Sequence, residues 1–355
     1  MNFTLHLTAD CNMACRYCYE KHSRELMSEE TALAAVDLML SFGHKNNGFS
    51  FFGGEPLLCR GLIERVTGYA AEKCPAGGKL SYRITTNGLL LDERFMGLAK
   101  ERDIRIALSH DGSLQDAQRV FPGGKPTSGL LEPKIDLLLK YQPRAVAMLT
   151  VMPENVSRFA EAVDWLYRRG FTRINGTVDY RPGAKWDDAS MEELARQYGL
   201  IAALCEEHYD DVRPLEYMGF EAKIASYIND RPCVECRLGV RQPSIAPDGK
   251  IYPCNQFLND PDYLMGDVWR GIDAAAQRRI IKEAAAEESS CRGCALEKRC
   301  RHHCACLNHS MTGDMHSVPP MQCAHEKALI IAADRMAEAL YKRKSPRFMR
   351  AYGTE

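Results

Sequence analysis

The sequence predicts an α/β fold, a partial (β/α)6 TIM-like barrel followed by a C-terminal cysteine-rich domain. From residue 1 to about 210, short apolar runs typical of strands alternate with segments of helical periodicity, a pattern that indicates parallel β/α units. The six units found are fewer than the eight of a complete barrel. After about residue 228, cysteine, glycine and proline become dense. We therefore predict three parts: a core barrel over 1–228, a cysteine-rich domain over 229–325, and a terminal helix with a basic tail over 326–355.

The individual elements follow from local patterns. Phe3, Leu5 and Leu7 alternate as in a first strand, and Ser28 is placed to cap the next helix. Further strands are predicted over residues 49–52, 82–86, 105–109, 145–151 and 173–178, with helices between them, for example over 158–169 and 191–207. The segment 231–256 predicts a hairpin around the turn at residues 247–249. A last helix carries Leu329, Ala333, Met336 and Leu340 on one face, and the basic tail over 342–350 is predicted to be solvated.

The composition excludes several classes of protein. A net charge of −1 over 355 residues gives no reason to expect nucleic acid or an anionic membrane as a partner. Residues 1–10 lack the basic start and apolar core of a signal peptide, and no apolar run is long enough to span a bilayer. Fifteen cysteines is a high number for a chain of this length. We therefore expect a cytoplasmic protein whose thiols hold metal rather than form disulfides.

Three cysteines near the start form the most informative motif. Cys11, Cys15 and Cys18 have the spacing Cys-x3-Cys-x2-Cys, with Tyr17 directly before the third. Thiols this close cannot join distant parts of a fold, and thiolates favour iron–sulfur clusters, zinc and copper(I). A [4Fe–4S] cluster held by three cysteines keeps one iron open for another ligand. A zinc knuckle or three unrelated core cysteines would have the same local pattern.

With this triplet, the chain resembles the radical S-adenosylmethionine (SAM) superfamily, whose signature has the same cysteine spacing and aromatic residue. The resemblance implies that Cys11, Cys15 and Cys18 hold a [4Fe–4S] cluster whose open iron chelates the amine and carboxylate of SAM. It also implies that the reduced cluster cleaves SAM and releases a 5′-deoxyadenosyl radical. The chemistry is then expected at the C-terminal ends of the strands. No residue of the sequence is identified as a catalytic acid or base.

Motifs at the ends of later strands resemble the SAM-binding motifs of that superfamily. Gly53-Gly54-Glu55-Pro56 resembles the motif that binds the SAM amino group, and Ser109 corresponds to a ribose-binding serine. Arg119 corresponds to an arginine that pairs with the SAM carboxylate, a task that suits a guanidinium fork. Alternatively, Asn87-Gly88 is a simple turn and Arg119 forms a surface salt bridge. The predicted SAM-binding residues are Tyr17, Gly53, Gly54, Glu55, Asn87, Ser109 and Arg119.

The C-terminal cysteines resemble the SPASM domain, which takes its name from maturases of subtilosin, pyrroloquinoline quinone, anaerobic sulfatases and mycofactocin. The resemblance rests on Cys236, on the Gly-x4-Cys element that ends at Cys254, and on the spacings of two, five and three residues from Cys291 to Cys304. A zinc ribbon needs only four ligands and leaves most of these thiols unused. The resemblance implies two auxiliary [4Fe–4S] clusters, the first held by Cys236, Cys254 and Cys304, the second by Cys291, Cys294, Cys300 and Cys323. Cys233 is predicted to complete the first cluster; without it, that cluster has an iron open to substrate.

The two resemblances together predict a radical SAM enzyme that modifies a peptide or protein side chain, either by a cross-link such as a thioether or by oxidation. Its partners are a peptide or protein substrate, an external reductant such as flavodoxin or ferredoxin, and a separate leader-binding protein if one is used.

Three further functions are compatible with parts of the sequence. The first is formylglycine formation of the sulfatase-maturase type, in which an aspartate thought to act as base follows the cysteine that matches Cys254. Asn255 stands there in this chain and cannot accept a proton, which weakens that interpretation. The second is a small-molecule dehydrogenase, and the third is a non-catalytic iron–sulfur electron carrier. An electron carrier has no need of the SAM-binding motifs, so those motifs favour an enzyme.

Overall fold

The computed structural model describes residues 1–181, 183–232, 236–285, 291–302 and 304–353. Strands and helices alternate along the first two thirds of the chain. In order they are β1 (Asn2–Thr8), α1 (Glu29–Ser41), β2 (Asn46–Gly53), α2 (Arg60–Lys73), β3 (Lys79–Thr86), α3 (Glu93–Glu101), β4 (Ile104–Ser109), α4 (Gln115–Gln118), α5 (Ser128–Tyr141), β5 (Val146–Val151), α6 (Phe159–Arg169), β6 (Arg173–Val178) and α7 (Asp188–Glu207). All six predicted strands are present, and the α/β class is confirmed.

Shorter strands and further helices follow. They are β7 (Glu216–Tyr217), α8 (Met218–Ile228), β8 (Ser244–Ile245), β9 (Ile251–Tyr252), β10 (Gly266–Asp267), β11 (Gly271–Ile272), α9 (Ala274–Ala284), α10 (Ala305–Thr312), α11 (Pro320–Lys342) and α12 (Pro346–Tyr352). The predicted hairpin is confirmed, because β8 and β9 pair antiparallel on either side of Gly249, whose φ of +83° suits the turn. Within the described residues, no helix is both long and apolar enough to cross a membrane.

The chain divides into two compact units. The first unit comprises the described residues of Met1–Ser109, Val120–Gln142 and Cys236–Ala286. Its strands lie in the order β4-β3-β2-β1-β8-β9, and every neighbouring pair is parallel except β8 and β9. One face of this sheet is apolar and buried, with Phe3, Leu5 and Leu7 of β1 completely inaccessible. Ser28 accepts a hydrogen bond from Thr31 N and caps α1, as its position in the sequence predicts.

The second unit comprises the described residues of His110–Arg119, Pro143–Glu235 and Glu287–Glu355. Its strands β5, β6 and β7 are parallel neighbours. The long helix α11 packs against α7 and α8, so the predicted apolar face of the last helix is confirmed: Leu329, Ala333, Met336 and Leu340 are all buried. The parts of the cysteine-rich segment that the structure describes therefore belong to both units, Cys236 to the first and Cys291 to the second.

The basic C-terminal tail is packed against the second unit. The prediction of a solvated tail is wrong, because residues 346–352 form the helix α12, in which Phe348 is buried and the guanidinium of Arg347 pairs with Glu216. Phe348 supplies the buried apolar contact of this helix, which the basic composition of the tail did not predict. The predicted boundary at 228 coincides with the last residue of α8, whereas the boundary at 325 falls inside α11. The division into three domains stays a prediction.

Candidate functional site

The three cysteines of the N-terminal motif lie in the loop that leaves the C-terminal end of β1. Cys11, Cys15 and Cys18 are partly buried thiols, and none of them forms a disulfide. The backbone N–H of Cys18 donates to the carbonyl of Cys15 at 3.1 Å, and the N–H of Met13 points to the Cys11 sulfur at 3.4 Å. Burial raises the pKa of the Cys11 thiol to about 12. Such a thiol is a neutral group at ordinary pH unless a bound cation stabilises its thiolate.

The end of β2 packs directly on the chain that leads into this loop. A Cβ atom on Gly53 would lie 2.2 Å from the carbonyl oxygen of Thr8, and one on Gly54 would lie 2.1 Å from that of Asp10. Gly53 also has a φ of +126°. The N–H groups of Gly54 and Glu55 donate to those same two carbonyls, each at 2.8 Å. The two glycines are therefore required for the close approach of two backbone segments.

Glu55 joins this glycine turn to the end of β3. Its carboxylate is buried and accepts hydrogen bonds from Leu57 N at 2.9 Å, Thr86 Oγ1 at 2.7 Å and Asn87 N at 2.7 Å. Burial raises the pKa of this carboxyl group, and the three hydrogen bonds oppose that effect. The first role of Glu55 is therefore to hold the segment around Asn87 in place. A direct contact of Glu55 with SAM stays a prediction.

Asn87 in turn reaches the cysteine loop. Its Nδ2 donates to Asn12 Oδ1 at 2.7 Å, and its Oδ1 accepts from Leu89 N at 3.1 Å, which closes a turn at Gly88. Asn87 therefore forms the Asn-Gly turn, and its amide also points towards the cysteine motif. Its contact with SAM stays a prediction. Asn12 is not among the residues predicted to form the site, although its place between Cys11 and Met13 is a local signal. Tyr17 is partly buried in the loop, and the partly buried Ser109 ends β4.

A second link within the first unit connects the cysteine loop to the hairpin segment. Asn255 Nδ2 donates to the phenolic oxygen of Tyr19 at 3.3 Å, and Asn255 Oδ1 accepts from the Cys254 thiol at 3.0 Å. Tyr19 directly follows Cys18, and Asn255 directly follows Cys254. Two segments more than 230 residues apart therefore meet beside the loop. The chemistry of Asn255 could be predicted from the sequence, whereas its partner Tyr19 could not, because no local pattern links the two segments.

Arg119 belongs to the second unit and forms an ion pair there. Its Nε lies 3.0 Å from Asp111 Oδ2, and the two side chains are 9% and 0% exposed. Asp111 also accepts a hydrogen bond from Thr150 N at 2.9 Å. The interpretation of Arg119 as one half of a surface salt bridge is therefore wrong, because the pair is buried. Its predicted contact with the SAM carboxylate stays a prediction.

The second unit also fixes the segment around Cys300. The buried ammonium of Lys223 donates to the carbonyl of Arg299 at 2.7 Å and pairs with Glu326 Oε2 at 2.6 Å. The same carboxylate oxygen accepts from the backbone N–H of Arg301 at 2.9 Å. One buried ion pair therefore binds the residues on both sides of Cys300. Although burial opposes ionisation, the Lys223 ammonium keeps the pKa of Glu326 below its usual value.

The chemistry of the donors fits iron–sulfur clusters. Ten of the eleven predicted ligand cysteines are described, and none of the ten forms a disulfide, so all ten keep a thiol group, which is a soft ligand. Cys233 lies outside the described residues. Within the described ranges, no three His, Cys, Asp or Glu side chains are close enough to ligate one metal ion. The ligand sets of the three clusters stay predictions.

Comparisons with known proteins agree with the predicted fold. Residues 5–166 match the radical SAM superfamily. An uncharacterised protein of Methanocaldococcus jannaschii is 30% identical over 48% of this chain, and the alignment spans 60% of that relative. The serine-type anaerobic sulfatase-maturating enzyme of Klebsiella aerogenes is 24% identical, with 83% of this chain and 76% of the enzyme aligned.

A solved structure resembles the chain almost from end to end. The structure of anSMEcpe with bound AdoMet superposes with a TM-score of 0.83 at 17% identity and covers 96% of this chain and 99% of its own. The same protein has been solved with AdoMet and a peptide named Cp18Cys, with a TM-score of 0.81 at 17% identity, and 96% of this chain and 99% of that one are covered. At such identities the likeness shows the fold, which is α/β with parallel strands as the sequence predicts.

Proposed function

We propose that this protein, whose residues 5–166 match the radical SAM superfamily, is a radical SAM enzyme that modifies a peptide or protein by hydrogen abstraction. The observation that carries the proposal is the chain of hydrogen bonds that links Glu55, Asn87 and the cysteine loop at the C-terminal ends of β1–β3. A protein or peptide substrate is supported by the relative that matures sulfatases and by the related structure that holds a peptide.

The residues of the first unit have distinct roles in this proposal. Cys11, Cys15 and Cys18 would hold a [4Fe–4S] cluster that, when bound and reduced, supplies the electron that cleaves SAM to a 5′-deoxyadenosyl radical. Glu55 positions the segment around Asn87, and Asn87 orients Asn12 beside the first ligand cysteine. The residues proposed to contact SAM are Tyr17, Gly53, Gly54, Glu55, Asn87, Ser109 and Arg119.

The remaining cysteines are proposed to hold two auxiliary clusters, with the ligand sets that the SPASM resemblance implies. In this proposal, residues 1–228 form the radical SAM core and residues 229–325 form the auxiliary domain. A Cys233→Ala variant that loses about four irons or much stability would identify Cys233 as a ligand. An unchanged variant would indicate that the first auxiliary cluster has an open iron.

A small electron-transfer protein of the flavodoxin or ferredoxin type is the proposed reductant, and a leader-binding protein is a further partner if the substrate is a precursor peptide.

Formylglycine formation is the second candidate function, and the similarity to a sulfatase-maturating enzyme favours it. Asn255 opposes it. The Asn255 amide donates to Tyr19 and accepts from Cys254, and an amide cannot take a proton. Position 255 therefore supplies no carboxylate base, and modification without that base is the preferred function.

The test is reductive cleavage of SAM by the anaerobically reconstituted protein. We expect 5′-deoxyadenosine to form with dithionite, and about twelve irons per chain if all three clusters are present. Replacing Cys11, Cys15 and Cys18 with Ala should remove about four irons and all SAM cleavage. Cys59→Ala is the matched control, because Cys59 is also a half-buried thiol of the first unit and is not a predicted ligand. SAM cleavage that survives the triple replacement would overturn the assignment.

A further inference from the structure

The four parallel strands β1–β4 have an uneven distribution of charge. They contain three Lys or Arg side chains, Lys79, Arg83 and Arg105, and no Asp or Glu. Strand alternation places all three cations on the polar face of the sheet, opposite the buried face that holds Tyr82, Ile84 and the other apolar side chains. The side chains of these four strands therefore contribute positive charge and no negative charge to this face.

Two of the cations are direct neighbours. Arg83 of β3 and Arg105 of β4 are register partners, and both side chains are exposed. Like charges opposite each other on neighbouring strands destabilise a sheet. Among the residues that the structure describes, neither guanidinium has a hydrogen bond or an ion pair with another side chain. No carboxylate among the described residues offsets the repulsion between them, so both guanidinium groups are available to an anion from outside the protein.

Hydroxyl groups continue this row across the sheet. Ser50 is the register partner of Arg83, and Thr4 is the register partner of Ser50. Gln242 Nε2 donates to Thr4 Oγ1 at 2.8 Å and to Ser50 Oγ at 3.1 Å. We call Thr4, Ser50, Arg83 and Arg105 the arginine row. Its two guanidinium forks and the adjacent hydroxyl match the oxygens of a carboxylate.

The arginine row lies at a defined distance from the strand ends. Arg105 and Ser109 are on the same face of β4, four residues apart. At a strand rise of about 3.3 Å per residue, their Cα atoms are about 13 Å apart. An extended peptide covers that distance with about four residues. A peptide lying along this face thus presents one side chain to the row and another to the proposed site of chemistry.

We propose that the arginine row binds a carboxylate side chain of the peptide substrate, an Asp or Glu about four residues from the residue that is modified. This inference rests on the proposed function and names its substrate class, an acidic peptide. The row acts as a specificity determinant for the position of the peptide and does not touch the reacting atoms.

The experiment is a binding selection from a library of random 15-residue peptides on the immobilised, reconstituted protein with SAM present. We expect Asp and Glu to be enriched at one position in peptides bound to the unmodified protein. The double variant Arg83→Gln/Arg105→Gln should lose this enrichment and bind a selected acidic peptide on the order of tenfold more weakly. The charge-reversed variant Arg83→Glu/Arg105→Glu should enrich Lys and Arg instead, an outcome that a merely structural role would not produce.

Arg94→Gln is the matched control, because Arg94 is an exposed arginine of the same unit that pairs with Glu64 on the helical side. It should keep the acidic preference. The same peptide preference in the unmodified protein and the Arg83→Gln/Arg105→Gln variant, or no acidic preference at all, would overturn the inference. SAM cleavage is measured separately without peptide. A protein that cleaves SAM without an acidic preference contradicts only this inference, and one with the preference but no cleavage contradicts only the proposed function.

Discussion

Arg119 and Asp111 form a buried ion pair in the second unit, with Nε and Oδ2 3.0 Å apart. Asp111 lies just after β4, and its carboxylate also accepts the backbone N–H of Thr150 in β5. The pair therefore fixes the segment from 110 to 119, on which the predicted SAM contact of Arg119 depends. Because both groups are desolvated, the loss of one charge affects folding as well as binding.

Arg119→Ala should destabilise the protein. The variant leaves the Asp111 carboxylate buried without its partner, which typically costs about 3–5 kcal/mol of the free energy of unfolding. Urea denaturation followed by circular dichroism measures this loss. Arg119→Lys keeps the charge but not the planar fork, so a weaker SAM affinity with a smaller stability loss would support a contact with SAM. An Arg119→Ala variant as stable as the unmodified protein would contradict the buried pair.

Glu55→Gln should loosen the link between the glycine turn and Asn87. The carboxylate accepts from three donors, and the amide that replaces it turns an NH2 group towards at least one of them. We expect a loss of about 1–3 kcal/mol of stability and weaker SAM binding. Isothermal titration calorimetry under anaerobic conditions measures the affinity. Glu64→Gln is the control: Glu64 forms an exposed ion pair, so its loss should change stability by less than about 1 kcal/mol.

Lys223→Met should destabilise the segment that carries Cys300. It removes the ion-pair partner of Glu326 and the donor to the carbonyl of Arg299, at an expected cost of about 3–5 kcal/mol. The double variant Lys223→Met/Glu326→Leu should recover part of this stability, because no unpaired charge remains. Chemical denaturation and iron content report the two effects. A double variant that is less stable than Lys223→Met would show that the hydrogen bond from Arg301 N to Glu326 matters more than the charge.

Asn255→Asp should change the chemistry that the protein can perform. The unmodified protein is expected to leave the target Ser or Cys of a sulfatase-derived peptide unoxidised, because residue 255 cannot accept a proton. The variant supplies a carboxylate beside Tyr19 and Cys254, where we expect formylglycine to become detectable by mass spectrometry. Formylglycine made by the unmodified protein would instead establish the oxidation that we rank second.

Much of the fold could be predicted from the sequence. The periodicity of apolar residues indicates all six main strands, because each strand or helix must bury one face. The Cys11 motif follows β1 and Asn87 follows β3, whereas Gly53 ends β2 and Ser109 ends β4. Parallel strands place their C-terminal ends at one edge of a sheet, so the sequence also indicates that these motifs share an edge in the first unit.

The sequence by itself therefore determined the α/β class, the cysteine motif and the strand ends at which polar residues gather. Only the tertiary structure decided the partners: Asp111 for Arg119, Asn12 for Asn87, Tyr19 for Asn255, and Glu326 for Lys223. It also decided that the basic tail packs as α12 and that Arg83 and Arg105 are neighbours. The physical reason is that periodicity reports which face of an element is buried, whereas a hydrogen bond or ion pair depends on a distance of about 3 Å between atoms, often across a hundred or more residues of chain.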